Sequence, residues 1–157
     1  MIEVIRKAIG AIVFQGTKFL MVQKSHITTL EGKQPIEAEW DFVKGGVEKH
    51  DKNLHDTLLR ELQEETGSNE YKIVKELDAK ICFDFPDDRQ NKIGYQKQET
   101  TMFLVEFLGD INSLIPNDHE ISKITFIEKD DVVELLTHQD TKDYFIKYIT
   151  DWAMHPK

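Results

Sequence analysis

Apolar residues along this chain come in short blocks separated by polar, glycine-containing breaks, and the blocks carry two different periods. The first two, residues 4–14 (VIRKAIGAIVF) and 19–24 (FLMVQK), flank Gln15-Gly16-Thr17-Lys18. Two apolar runs around so short a break predict a β-hairpin. Residues 25–39 are polar, include Gly32 and Pro35, and are expected to form a mobile loop of a length that often carries function. Glu39 to Val43 reads as a short strand delivering the chain to Gly45-Gly46. The pattern then turns helical from about Asn53 to Thr66, with Leu58, Leu59 and Leu62 on an arc suited to burial and Gly67 as the stop.

Beyond the helix the period returns to two. In residues 71–85, Ile81, Phe83 and Phe85 alternate with Cys82 and Asp84, which predicts a strand pair or one bent strand ended by Pro86. Residues 87–98, with Arg89, Lys92, Tyr95 and Lys97, are expected to be a polar loop. Thr100–Leu108 predicts a central strand, 124–127 another short strand, and Asp130–Leu136 a short helix. Asp140–Met154 reads as a terminal helix, with Phe145, Tyr148, Ile149 and Trp152 at the i, i+3, i+4, i+7 spacing of a buried face. No repeat or linker interrupts the sequence. The fold class expected is α/β or α+β, a mixed β-sheet between α-helices in one domain spanning 1–157.

Composition narrows the function classes. At 157 residues and 39% hydrophobic, the chain suffices for one core. Its 20 basic and 29 acidic residues give a net charge of −9, which argues against gripping nucleic acid through a broad basic surface, so no stable nucleic-acid binding is expected. Phosphate-bearing small molecules remain open, because a bound metal can invert the local field. Cys82 is the only cysteine, which excludes intramolecular disulfides and cysteine-based zinc sites, and the six histidines show no metal-ligand spacing. The apolar run Ala8–Phe14 is short and lacks a small-residue cleavage site, so it reads as a strand rather than a signal peptide. No stretch approaches the roughly 20 apolar residues of a spanning helix. A soluble, cytoplasmic monomer or homodimer is the expectation.

One stretch stands out chemically. Glu61, Glu64 and Glu65 share a helical arc of about 100°. Like charges one turn apart repel by roughly a few tenths of a kcal/mol per pair. Glu64 and Glu65 also sit at the negative end of the helix dipole, just before Gly67. A divalent cation is the simplest thing that repairs the arrangement, and hard oxygen donors select Mg²⁺ or Mn²⁺ over zinc.

Gly45 together with Arg60-Glu61-Leu62-Gln63-Glu64-Glu65-Thr66-Gly67 resembles the Nudix box, whose pattern is G-x5-E-x7-R-E-U-x-E-E-x-G-U with U aliphatic. Flanking strands and the last helix follow in the expected order, so the likeness covers nearly the whole chain. Three departures are visible. Asp51 stands where the family has Glu, one extra residue separates it from Arg60, and Ser68 replaces the closing aliphatic residue. The resemblance implies a Nudix fold, metal binding by Glu61, Glu64, Glu65 and the backbone carbonyl of Lys44, and catalytic roles for Glu61, Glu64 and Arg60. The segment from Trp40 to Glu48, Phe83-Asp84-Phe85-Pro86 and the run from Gly94 to Gln98 are similar to diadenosine polyphosphate hydrolases and RNA 5′-pyrophosphohydrolases, although Val43 replaces a proline. Those branches carry a loop glutamate as metal ligand or base, and Glu120 is placed to match. Lys44, Gly45, Gly46, Arg89, Lys92 and Lys97 are candidate phosphate contacts, while Tyr95 and Phe85 are candidates to stack on a base. The function implied is metal-dependent hydrolysis of a phosphoanhydride in a nucleoside-diphosphate-linked substrate, a dinucleoside polyphosphate first. Alternatives are a nucleoside triphosphate pyrophosphatase that sanitises nucleotides and a catalytically silent nucleotide sensor.

Overall fold

The computed structural model of the chain describes residues 4–117 and 120–150, the side chains of Thr28 and Lys92 excepted. Strands β1 (Ile5–Gln15) and β2 (Lys18–Thr29) form the first hairpin. Its turn needs Gly16, whose φ of 62° is one that side chains with a Cβ rarely adopt. Then follow β3 (Gly32–Asp41), β4 (Val43–Gly46), α1 (Leu54–Thr66), β5 (Tyr71–Asp84), α2 (Asp87–Ile93), β6 (Lys97–Phe107), β7 (Ile121–Glu128), α3 (Val132–Leu135) and α4 (Gln139–Tyr148). The strand order is β3-β2-β1-β6-β5, with β4 paired to β1 and β7 to β2.

The centre is the parallel pair β1–β6, in register from Ile5↔Lys97 to Phe14↔Glu106. Both strands read as almost unbroken apolar runs because both of their faces are covered. Ile9, Ala11, Val13, Phe103 and Val105 pack with Leu58 and Leu62 of α1. Ile12, Phe14, Met102 and Leu104 pack on the other side with Val132, Leu136, Phe145 and Ile149. This is an α+β arrangement, a mixed sheet between helices, as the sequence implies. No helix among the described residues is long and apolar enough to cross a membrane.

Several expectations are corrected. Residues 25–39 are not a loop: β2 and β3 run on as a hairpin arm, paired from Val22↔Asp41 to Thr29↔Gly32. Ile27, Thr28 and Thr29 are β-branched, and Pro35 is tolerated because β3 is an edge strand. Residues 87–98 likewise hold α2, closed by Gly94 in the left-handed conformation. Of the two readings expected for residues 71–85, the structure has the single bent strand, with two irregularities in its pairing with β6. Leu59 is exposed while Leu58 and Leu62 are fully buried. On α4 the buried set is Thr141, Tyr144 and Phe145, followed by Ile149, and Tyr148 faces solvent. The expected helical residues 151–154, including Trp152, lie outside the described residues.

Candidate active site

The site is assembled where β4 meets α1. Strand β4 pairs antiparallel with β1, Gly10↔Lys44 to Ala8↔Gly46, and hands the chain to a loop that returns to the helix. Asn53 caps α1, its side-chain oxygen accepting from the Asp56 amide at 2.8 Å. Gly67 ends it in the left-handed conformation, donating its N–H to the Gln63 carbonyl at 2.8 Å.

Arg60 organises the loop against the helix. Its Nε and Nη2 donate to the two oxygens of Asp51 at 3.0 and 2.8 Å, a bidentate pair. Asp51 also accepts from the Glu48 amide and the Thr57 hydroxyl, each at 2.9 Å, and its side chain is only 2% exposed. Arg60 beside it holds its carboxyl well below the usual carboxylate range, against the opposing effect of burial. Asp51 in turn raises the guanidinium's pKa further. Nη2 of Arg60 donates to the Gly46 carbonyl at 3.1 Å, so the guanidinium also fixes the glycine turn. Its Nη1 donates to Glu61 at 2.8 Å and Glu64 at 2.6 Å, and lies 3.1 Å from Glu48.

The consequence is a triad of acids. Glu48, Glu61 and Glu64 each present one carboxylate oxygen, all within 4.8 Å of one another. Such a set of hard oxygen donors fits Mg²⁺ or Mn²⁺. Gly45 makes room for it, since a Cβ there would stand 2.0 Å from Glu61 Cδ. At Gly46 a Cβ would meet the Arg6 guanidinium at 2.7 Å, and Arg6 donates to Gln98 at 2.8 Å. Glu65 is not one of these three. It is buried at 2% exposure, and its charge acts on Lys24 and Tyr71. Burial pushes the Tyr71 hydroxyl up to about 12, so it stays protonated while sharing a 2.6 Å hydrogen bond with Thr66.

The other expected residues lie on several different elements. The Lys44 ammonium is held by Asp41 at 3.2 Å and Thr141 at 3.3 Å, on the opposite side of β4 from Glu61. Glu120 lies in the turn before β7, with its carboxylate 2.9 Å from Lys33 of the arm and its carbonyl accepting from the Ser25 amide at 2.9 Å. Arg89 is half-buried on α2 and acts on the charge of Glu39. Tyr95 is half-buried after α2, and Lys97 opens β6 at 3.8 Å from Asp84. Phe85 is buried edge-on to Phe83, their ring centroids 5.0 Å apart. The Lys92 side chain and the Asp118-His119 pair before Glu120 lie outside the described residues.

Sequence reasoning passes over three residues that the structure brings here. Glu48 is signalled only by its place two residues beyond Gly46, in a loop that must fold back over the glycines. Arg6 precedes an apolar run and looks like an ordinary strand start. Lys24 ends such a run, and nothing in its neighbours shows where it points.

Comparison with known proteins bears on the fold and the family. A family model described as the NUDIX domain matches residues 4–149. An RNA pyrophosphohydrolase of Bartonella bacilliformis is 28% identical over 120 residues, which are 74% of this chain and 70% of that one. In structure the chain resembles the E. coli dihydroneopterin triphosphate pyrophosphohydrolase, with a TM-score of 0.69 at 12% identity over 95% of this chain and 98% of that one. It also resembles a C. elegans Ap4A hydrolase, with a TM-score of 0.64 at 16% identity over 91% and 94% of the two chains.

Proposed function

The chain belongs to the Nudix hydrolase family, in its RNA pyrophosphohydrolase-like branch, and from that premise we propose that it cleaves the phosphate chain of a nucleotide in which a nucleoside diphosphate is linked to a further group. The favoured substrate is a dinucleoside polyphosphate. The observation that carries the reading is the gathering of Glu48, Glu61 and Glu64 around one guanidinium, directly against a glycine turn whose missing Cβ leaves room for the Glu61 carboxyl.

Glu48, Glu61 and Glu64 would hold Mg²⁺ or Mn²⁺, with Glu65 and the Lys44 carbonyl as further candidate ligands from the family pattern. Such an ion supplies neutralisation of phosphate charge and a water of lowered pKa. The protein's own groups do the rest. Arg60 fixes the direction of the carboxylates through its fork to Asp51. Gly45 and Gly46 leave room for the Glu61 carboxyl and the Arg6 guanidinium beside the backbone. Arg6, above Gly46, faces the negative charge that accumulates there. Water attacks phosphorus, the anhydride P–O bond breaks, the leaving phosphate keeps the bonding pair, and the carboxylate of Glu120 or of a helix glutamate accepts the proton from the water.

A second reading has a specific basis: the curated relatives bear the name RNA pyrophosphohydrolase. In it the substrate is the 5′-triphosphate end of an RNA, held at its end only, which is compatible with a net charge of −9. A product assay in ¹⁸O water with Mg²⁺ separates the possibilities, using a dinucleoside tetraphosphate, a panel of deoxynucleoside triphosphates and a short 5′-triphosphorylated RNA. Label in a nucleoside phosphate released from the dinucleotide is the expected result. Faster turnover of the RNA supports the second reading, and release of pyrophosphate from the triphosphates alone supports nucleotide sanitising. Glu64→Gln is expected to abolish turnover while leaving the fold intact. Nucleotide binding without turnover of any substrate would replace the hydrolase with a sensor.

A further inference from the structure

Glu120 is one of the two candidates to accept the proton in the reading above, and its surroundings are held from two sides. On one side, the segment before it is bound to the end of α1, where the Ile115 and Asn117 amides donate to the Thr66 and Glu65 carbonyls at 3.3 and 3.2 Å. On the other side lies the hairpin arm of β2 and β3. The Ser25 amide donates to the Glu120 carbonyl at 2.9 Å, next to the pairing of Lys24 with Ile121. The Lys33 ammonium, from the opposite strand of the arm, donates to a Glu120 carboxylate oxygen at 2.9 Å. One strand thus fixes the backbone of this glutamate, and the other engages its charged end.

The arm is anchored well enough to serve as a reference. At its base the Trp40 amide donates to the Thr137 hydroxyl at 2.8 Å, and His138 pairs with Glu39 at 2.9 Å. At its tip the Thr29 hydroxyl donates to the Gly32 carbonyl at 2.8 Å and accepts from the Glu31 amide at 3.1 Å. Leu30 reaches Gly94 at the end of α2, where an added Cβ would stand 3.5 Å from Leu30 Cδ2. Between base and tip the strands are paired, with Lys33 opposite Thr28, so Lys33 is presented from a strand and not from a loose loop. With 42% of the Lys33 side chain and 22% of the Glu120 side chain exposed, the ion pair adds little to stability. What it supplies is direction. A glutamate carboxyl sits at the end of a flexible stem, and a general base must lie within hydrogen-bond reach of the proton it takes.

We propose that Lys33 is a positioning residue for the hydrolytic reaction, orienting from the β2–β3 arm the Glu120 carboxylate that takes the proton of the attacking water. The role rests on the hydrolase reading of the site and on Glu120 as its base. Lys33 acts through Glu120 and not on the substrate, so its loss lowers kcat and spares KM.

The test is a double-mutant cycle on the full chain, with Mg²⁺ and the substrate that the wild type turns over. It uses Lys33→Met, Lys33→Arg, Glu120→Gln and the double variant Lys33→Met/Glu120→Gln, each at equal folded fraction set by circular dichroism. In Lys33→Met, kcat falls by about 10-fold, a part of the roughly 10²–10⁴-fold that a positioned base contributes, while KM hardly moves. Lys33→Arg keeps the charge and recovers most of kcat. Glu120→Gln is slower still, and adding Lys33→Met to it changes kcat by less than about 2-fold, because the two residues act as a unit. Hydrogen exchange at the Ser25 amide reads the contact without turnover, and is several-fold faster in Lys33→Met and unchanged in Lys33→Arg. Wild-type kcat in Lys33→Met or in Glu120→Gln would overturn the proposal. So would a rise in KM at constant kcat, which marks a substrate ligand, or faster turnover in Lys33→Met, which marks a pair that restrains Glu120. An equal loss from Lys33→Met on both backgrounds would also overturn it, since Lys33 would then act elsewhere than through Glu120. A wild-type protein inactive on every substrate would count against the hydrolase reading instead, and Ser25 exchange would still decide whether Lys33 holds the turn.

Discussion

At the scale of single residues, the site depends on how closely groups can approach. Gly45 is needed for a steric reason and not a conformational one: a Cβ there would overlap the Glu61 carboxyl, 2.0 Å from its Cδ. Gly45→Ala is therefore expected to swing Glu61 out of the acid triad, lowering Mn²⁺ affinity and kcat together with little change in Tm; calorimetry and kinetics on one preparation check this. Asp51 shows a different economy. Its side chain is one methylene shorter than the family's Glu, and the loop leading to Arg60 is one residue longer, so the two departures offset each other and the bidentate pair is kept. Breaking that buried pair with Asp51→Asn is expected to cost about 3 kcal/mol at neutral pH. Because Asp51 is held below its ordinary value of 3.8, its contribution is present above that pH and is lost as pH falls through the depressed pKa. Urea titrations of both proteins should converge in strong acid, and a difference undiminished at low pH would refute the ion-pair account.

At the scale of elements, α1 and the β1–β6 pair are readable in advance because each obeys one rule. Leu58 and Leu62 mark the helical stripe, Asn53 and Gly67 mark its ends, and the twin apolar runs mark strands covered on both faces. The β2–β3 arm is not readable, because its stability comes from backbone pairing, to which polar residues such as Lys33 and Gln34 contribute as well as apolar ones. Glu48 escapes for a related reason: a loop return aims it, and that leaves no period in the sequence. The junction of the arm with α4 is tertiary in the same sense. The Trp40 amide donates to the Thr137 hydroxyl at 2.8 Å, the Thr137 amide donates to the Trp40 carbonyl at 3.1 Å, and His138 pairs with Glu39 at 2.9 Å. The bond to Glu39 raises the His138 pKa above 6.5, with Asp41 adding to it and Lys44 opposing, while Glu39 is also faced by Lys24 and Arg89. A raised histidine contributes in full below its unfolded pKa and loses that contribution as pH rises through the folded one. The wild type should exceed His138→Gln by less than about 1 kcal/mol at pH 6, and the difference should vanish by about pH 9. Thermal unfolding across that range measures it, and a difference that grew with pH would exclude the pair as its source.

At the scale of the whole molecule, the chain carries a net charge of −9 and concentrates part of it in three acids whose oxygens crowd within 4.8 Å. Arg60 offsets some of that repulsion, but its fork is already committed to Asp51 and its remaining nitrogen is shared by Glu48, Glu61 and Glu64. The folded protein therefore retains free energy that a divalent cation can release, whereas the unfolded chain, with the acids dispersed, offers the ion no such site. Linkage makes this a measurement of stability. Mg²⁺ at about 100 times its Kd should add about 2.7 kcal/mol, and for a chain of this size that is a rise in Tm of roughly 5–10 °C. Diffuse screening of the surface charge would also raise Tm, but NaCl of equal ionic strength would reproduce it, and it would be indifferent to any one carboxylate. The expected pattern is a rise with Mg²⁺ that NaCl does not match, that EDTA reverses, and that Glu61→Gln largely removes. An equal rise in Glu61→Gln would move the effect from the triad to the surface at large, and with it the assignment of these acids as a metal site.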